Sequence, residues 1–298
     1  MSDDFASTPP DDFVRLSARL GADPLRIQGP GGNTSIKRDG AMWIKASGTR
    51  LARAMHEPVF TLVDVARARA EIGGAGDGTC RAALLDPEAT LRPSIETTFH
   101  ALMDDEVVLH THSVATLAHV TSEEGEREAL RKLDGMGAVV VPYAKPGLPL
   151  TKAIAESGAD APIHLLRNHG LIVSGANVGE AEARMDEVER RLALAPTRPP
   201  DVAALWDEPA WRARAEAGSY WPDHVVFLGS GLPPRGDHDG SPLGMLQCLA
   251  DVLARVPPDW TMRPIGPEAE AELKGWDAET YRQKLEMEAR ARAAGPPR

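Results

Sequence analysis

Between residues 94 and 194, short runs of β-branched and apolar residues alternate with segments of helical period, and no other feature constrains the fold as tightly. Residues 107–111, 138–143, 162–166 and 171–173 read as strands. Residues 94–103, 113–120 and 178–194 read as helices, the first with Ile95, Phe99, Leu102 and Met103 on one stripe. Strands separated by helices predict an α/β sheet with helices packed on it. Upstream, acidic residues open a predicted helix over 11–20, where Phe13, Leu16 and Leu20 fall at helical spacing. A glycine-rich loop over 28–35, a strand over 41–46 and a loop over 73–90 follow.

The texture changes after Pro196. The run PTRPPD reads as a linker and divides the chain into residues 1–198 and an extension over 199–298. Five of the six tryptophans lie in the extension, at 206, 211, 221, 260 and 276. Side chains of that size must be buried, so the extension is expected to pack on the main domain or on a neighbouring subunit. It is read as rich in helix and as ending in a charged helix over about 267–294.

Composition excludes several classes of function. The 298 residues are 42% hydrophobic and 26% charged, as in an ordinary globular protein. The net charge of −11 repels phosphate at long range, which speaks against binding nucleic acid or an anionic membrane through bulk charge. Any phosphate must be held locally. Cys80 and Cys248 make neither a disulfide framework nor a metal pair, so a reducing cytoplasm is the expected setting. The N-terminus lacks the basic and apolar segments of a signal peptide, and no apolar run approaches the ~18 residues of a membrane span.

Four groups of residues are able to carry chemistry. In VVLHTHS (107–113), strand alternation sends His110 and His112 to one face and Leu109 and Thr111 to the other. The pair is either a half-site for a divalent transition metal or two buried histidines satisfied by hydrogen bonds. His169 sits at a tight Asn-His-Gly turn between apolar runs and offers a third nitrogen, although spacing alone does not bring it beside the pair. Ser94 is placed to cap the predicted helix, and Glu96 falls in its first turn with His100 one turn on. Glu96 is either a solvated first-turn carboxylate or one aimed at a metal, able to ligate it or to move a proton. The loops QGPGGNTS (28–35) and ASGT (46–49) are plain turns or anion cradles built from backbone amides, with Gly32 in the first. Neither a dinucleotide-binding fingerprint nor a P-loop is present.

Five motifs in order, GGNTSIK (31–37), IKASGT (44–49), RPSIETTFH (92–100), VVLHTHS (107–113) and LLRNHGLIVSG (165–175), together with the helix GEAEARMDEVERR, resemble the class II aldolase/adducin family. The resemblance covers roughly residues 11–195, and LKGWDAETYRQ (273–283) looks like the extension of its rhamnulose-phosphate-aldolase-like branch. It implies a three-layer α/β/α sandwich around a mostly antiparallel sheet, assembled as a homotetramer with sites at subunit interfaces. It implies a divalent metal, zinc before Mn2+ or Co2+, on His110, His112 and His169. Glu96 matches the family's catalytic glutamate, which also ligates the metal of the empty enzyme. Asn33, Ser47, Gly48 and Ser94 match positions that hold a sugar phosphate.

This sequence departs from the family at two points. Ile95 stands where family members carry a second phosphate-contacting serine. The family's aldolases use a tyrosine from a neighbouring subunit as acid, and Tyr143 is the available candidate. Lys45 and Lys145 are read as phosphate-loop or surface charges. The expected activity is cleavage of a ketose phosphate to dihydroxyacetone phosphate, or a similar ketone, and an aldehyde. The alternatives are 4-epimerisation, dehydration or decarboxylation on the same machinery, or a non-catalytic adducin-like module.

Overall fold

The chain is described from a computed structural model that covers residues 7–274 and residue 276. It begins with α1 (Asp11–Ala22), then β1 (Asn33–Arg38), β2 (Ala41–Lys45), β3 (Phe60–Asp64) and α2 (Val65–Ile72). The middle runs α3 (Thr97–Leu102), β4 (Val107–Thr111), α4 (Val114–Val120), α5 (Glu123–Lys132), β5 (Ala138–Val141), α6 (Leu148–Gly158), β6 (Ile163–Leu166), β7 (Gly170–Gly175) and α7 (Val178–Leu192). Five helices follow: α8 (Ala204–Asp207), α9 (Pro209–Glu216), α10 (Pro222–Leu228), α11 (Gly240–Arg255) and α12 (Pro267–Lys274).

The seven strands form one sheet in the order β3-β2-β1-β4-β7-β6-β5. Every pairing is antiparallel except β5 with β6. Leu109, Leu171 and Val173 project to a face covered by α1 and α7, where Phe13, Leu16, Leu20, Met185 and Val188 complete the core. Val108, Val141 and Ile172 project to the opposite face, against Phe99 and Met103 on one side and Leu150 and Ile154 of α6 on the other. A sheet with helices on both faces has no wet side, which is why every residue of β4 is buried. The expected α/β/α sandwich with a mostly antiparallel sheet is what the structure shows.

The helices obey local rules. Asn177 caps α7 by accepting the amide hydrogen of Glu180, Ser122 caps α5 through Gly125, and Ser113 caps α4 through Thr116. Val178, Ala181, Met185, Val188 and Leu192 make the buried stripe of α7.

Three expectations change. The glycine-rich loop gives way to strand at Asn33, because residues 33–36 pair with β4 on one edge while 35–38 pair with β2 on the other. The helix expected from residue 94 starts at Thr97, because the chain is still extended at Pro93, which bridges to Ala46, and the Ser94 amide is bonded to the Lys45 carbonyl. β3, α2, α5 and α6 add to the elements expected from the sequence. Of the charged helix expected over 267–294, α12 is described, and the remainder lies outside the described residues, as does most of the 273–283 motif.

Residues beyond 198 pack on α4. Val114, Leu117 and Ala118 share a core with Leu205, Trp211, Tyr220, Trp221 and the apolar face of α11. Arg263 donates to the Thr121 carbonyl through its amide, and Ser122 bridges to Met262. No helix among the described residues is long and apolar enough to cross a membrane.

On α7, Glu189 accepts a hydrogen bond from the Ser113 hydroxyl at 2.9 Å, and its second oxygen is buried without a partner. Burial pushes its carboxyl up to about 7, against the opposing pull of Ser113 and Arg26. A carboxyl raised in the folded state stabilises fully below its unfolded value and loses that contribution as pH rises to the folded one. Stability should therefore fall between about pH 4.5 and 7 on this account. Glu189→Gln should remove that fall, gaining on the order of 1–2 kcal/mol over wild type above pH 7. Thermal midpoints of both proteins across that range test this, and parallel profiles would refute it.

Candidate metal centre

His110 lies on β4, the central strand, and His112 just past its end, on the face occupied by α3. His169 sits in the turn joining β6 to β7, just before the Leu171 that pairs with Thr111 at the end of β4. That turn requires a left-handed residue, and Asn168 supplies it with φ 53°. Gly170 lets the two strands close up: a Cβ there would stand 2.4 Å from the Thr111 carbonyl oxygen.

The pairing brings the three imidazoles together. Ring centroids are 4.9 Å apart for His110 and His112, 5.0 Å for His110 and His169, and 5.2 Å for His112 and His169. One nitrogen from each lies within 4.8 Å of the others. His110 Nδ1 is 3.0 Å from the Leu171 carbonyl oxygen, which only accepts, so the ring proton is there and Nε2 is a bare lone pair. That lone pair faces His112 Nε2 at 3.1 Å. Glu96 spans the cluster, with Oε2 3.5 Å from His110 Nε2 and Oε1 3.5 Å from His169 Nε2.

Burial sets the protonation. It holds His110 down to about 4 and His169 to about 3, so both are neutral and able to donate lone pairs. Burial alone would raise the Glu96 carboxyl, but His110, His169 and the Asn33 amide outweigh it, and the group stays below the usual carboxylate range. Glu96 Oε1 and His169 Nδ1 are buried without hydrogen-bond partners. Neutral imidazoles facing one another beside a carboxylate, with polar atoms unsatisfied, fit a divalent ion bound through nitrogen, as zinc prefers.

The Glu96 carboxylate is held from behind. Asn33 is the cross-strand partner of His110, and its Nδ2 donates to Glu96 Oε2 at 2.8 Å and to Ser94 Oγ at 3.3 Å. A carboxylate only accepts, which fixes the carboxamide orientation and turns Asn33 Oδ1 to His100 Nε2, which donates to it. His100 Nδ1 then accepts from the Ser35 hydroxyl at 2.7 Å. Burial, with Lys37 and His110 adding, keeps His100 far below its ordinary value and therefore neutral.

A cleft opens beside the cluster, enclosing about 30 Å³. Gly32, Asn33, Ser47, Gly48, Ser94 and Glu96 all line it, together with His112 and His169. Ile95 lines it too, offering no hydroxyl. Lys45 is not a surface charge: it is buried in the same wall, with Nζ donating to the Pro30 carbonyl at 2.8 Å. Tyr143 is not brought there. Its hydroxyl is buried without a partner elsewhere, and burial, then Glu272, pushes it up to about 12. Lys145 stacks its ammonium over Trp276 at 4.6 Å. Pro222 and Asp223 line the cleft from the C-terminal third, and nothing in their local sequence points to it.

Known proteins share this architecture. The family profile described as "Class II Aldolase and Adducin N-terminal domain" matches residues 12–195. A curated relative, "Uncharacterized oxidoreductase YuxG" of Bacillus subtilis (strain 168), is 31% identical over 182 residues, which are 55% of this chain and 26% of that protein. The chain thus spans about a quarter of that relative's length. The solved N-terminal class II aldolase domain of a conserved protein from Thermoplasma acidophilum is 25% identical, with a TM-score of 0.53 over 62% of this chain and 92% of that one. The L-fuculose-1-phosphate aldolase of Thermus thermophilus is 21% identical, with a TM-score of 0.42 over 61% of this chain and 89% of its own. The profile match takes in every strand and all three clustered histidines, and the chain belongs to the class II aldolase/adducin family.

Proposed function

We propose that this protein is a divalent-metal-dependent aldolase that cleaves a ketose phosphate to dihydroxyacetone phosphate, or a similar ketone, and an aldehyde. The observation that carries this reading is the convergence of the His110, His112 and His169 nitrogens on one point, with Glu96 across it. Three imidazoles leave a coordination position open, as catalytic sites do. When bound, zinc, or manganese or cobalt in its place, supplies Lewis-acid stabilisation of the negative charge that develops on the ketone fragment.

The chain's own groups do the rest. Breaking the carbon–carbon bond takes a proton from the hydroxyl of the departing aldehyde and returns one to a carbon of the ketone fragment. Glu96 is ionised at the start, so in the cleavage direction it receives the proton released by that hydroxyl before returning one to the carbon. In the reverse direction it takes the carbon-bound proton. Asn33 and Ser94 keep its carboxylate aimed. The phosphate is held in the mouth of the cleft by Gly32, Asn33, Ser47, Gly48 and Ser94, with Lys45 beneath. The family resemblance assigns the acid that protonates the aldehyde oxygen in the reverse direction to a tyrosine of a neighbouring subunit in a homotetramer. Tyr143 fills that role only if assembly uncovers its buried hydroxyl. Both cysteines are free and buried, which suits a cytoplasmic protein.

The position of Tyr143 and the apolar Ile95 also favour a second reading, in which the same metal and Glu96 serve 4-epimerisation, dehydration or decarboxylation of a related sugar derivative. The oxidoreductase name of the Bacillus relative belongs to a protein of which the matching segment is 26%.

Purified wild type should carry one divalent metal per chain, and His110→Ala or His169→Ala should each abolish it in elemental analysis. Stoichiometric zinc in either variant would remove that histidine from the ligand set. Glu96→Gln should keep the fold and most of the metal while slowing release of dihydroxyacetone phosphate from ketose 1-phosphates by about 10²-fold or more. A coupled assay over several ketose 1-phosphates measures this. Unchanged turnover would sink the proton-transfer role, and metal without aldol products would select the second reading.

A further inference from the structure

Asp223 reaches the histidine cluster from the opposite end of the chain. It is the second residue of α10, its side chain is 1% exposed, and its Oδ2 lies 2.9 Å from His112 Nδ1. Two features of the fold put it there. Asn168, the neighbour of His169, donates from Nδ2 to the carbonyls of Tyr220 at 3.0 Å and Arg263 at 2.8 Å, tying the segment before α10 to the β6–β7 turn. Gly31 clears the space, since a Cβ there would stand 2.6 Å from Asp223 Oδ2 and 3.0 Å from His112 Nδ1.

The approach decides where the His112 proton sits. The contact is not aligned as a hydrogen bond, but a carboxylate oxygen at this distance is repelled by a ring lone pair and attracted by a ring N–H, so Nδ1 carries a proton. The Leu171 carbonyl imposes the same tautomer on His110. The Nε2 atoms of the two rings face each other at 3.1 Å, and a cation bound between them takes a lone pair from each.

We propose that Asp223 is a positioning residue of the metal centre: its carboxylate faces the Nδ1–H of His112 and turns that ring's Nε2 toward the ion. The inference rests on the metal-dependent reading above and extends it, because it makes the C-terminal third part of the centre. A histidine that ligates a metal commonly donates its other N–H to a carboxylate or carbonyl, and losing that partner costs about 10- to 100-fold in metal affinity.

The test is the zinc affinity of the full chain without substrate, read by competition with a chromophoric chelator. Asp223→Ala should weaken binding by about 10- to 100-fold. Asp223→Asn, whose amide oxygen still accepts from Nδ1 but carries no charge, should weaken it less. Gly31→Ala, which forces the carboxylate and the ring apart, should shift affinity in the same direction. The visible spectrum at saturating cobalt should change in Asp223→Ala, because the ring is no longer held. A role confined to packing the extension would instead lower the thermal midpoint of the metal-free protein and leave that spectrum as it is. Wild-type zinc affinity in both Asp223 variants, or an unchanged cobalt spectrum, overturns the assignment and leaves the metal centre standing. A wild type that binds zinc no better than His110→Ala overturns both.

Discussion

The pairing of β4 on both edges is the constraint from which the site follows. Because β1 runs antiparallel along one edge, Asn33 falls opposite His110. Because β7 runs antiparallel along the other, the β6–β7 turn delivers His169 to the same end of the strand. A slip of one residue in either register would send the polar partner to the face packed by α1 and α7. The apolar residues that alternate with the functional ones, Leu109 on β4 and Ile36 on β1, therefore do more than fill the core. They hold the register on which the cluster depends.

Burying three imidazoles and a carboxylate in one place is expensive unless each group is satisfied. The fold meets most of that cost with a chain of bonds, from Ser35 through His100 and Asn33 to Glu96, and with the Leu171 carbonyl at His110. What remains unmet around the cluster lies at Glu96 Oε1, at Nδ1 of His112 and His169, and at Asp223 Oδ2. The supporting network is thus closed behind Glu96 and His110, while the polar atoms left over gather around the point where the three rings meet, as expected of a ligand sphere held ready for an ion.

Much of this was legible in the sequence, and the gaps have physical causes. Period-two alternation placed His110 and His112 on one face without any knowledge of the sheet. The strand runs on either side of residue 169 foretold a turn there, but its meeting with His110 depends on strand order, which local pattern does not encode. Asn33 falls in a loop on local pattern alone. Its strand is hidden because Gly, Asn, Thr and Ser read as turn residues unless the hydrophobic strand they pair with is known. Asp223 was invisible for a different reason. A single aspartate in a tryptophan-rich segment has no periodicity or spacing to mark it, and only the packing of α4 and α11, with the Asn168 clamp, brings it to His112.

The composition raised a difficulty that the site resolves. A chain of net charge −11 repels anions at a distance, and the cleft adds Glu96 and Asp223 against the single formal positive charge of Lys45. Backbone amides in the small-residue loops are too few to reverse that, since the Ser47 amide is already bonded to the Arg92 carbonyl. A divalent ion on the histidines would change the local formal balance from one negative to one positive charge and become the largest charge in the site. On the proposed reading, metal and phosphate binding are therefore coupled by electrostatics alone. The two carboxylates that hold and orient the ion's ligands are the same groups that would exclude the phosphate in its absence.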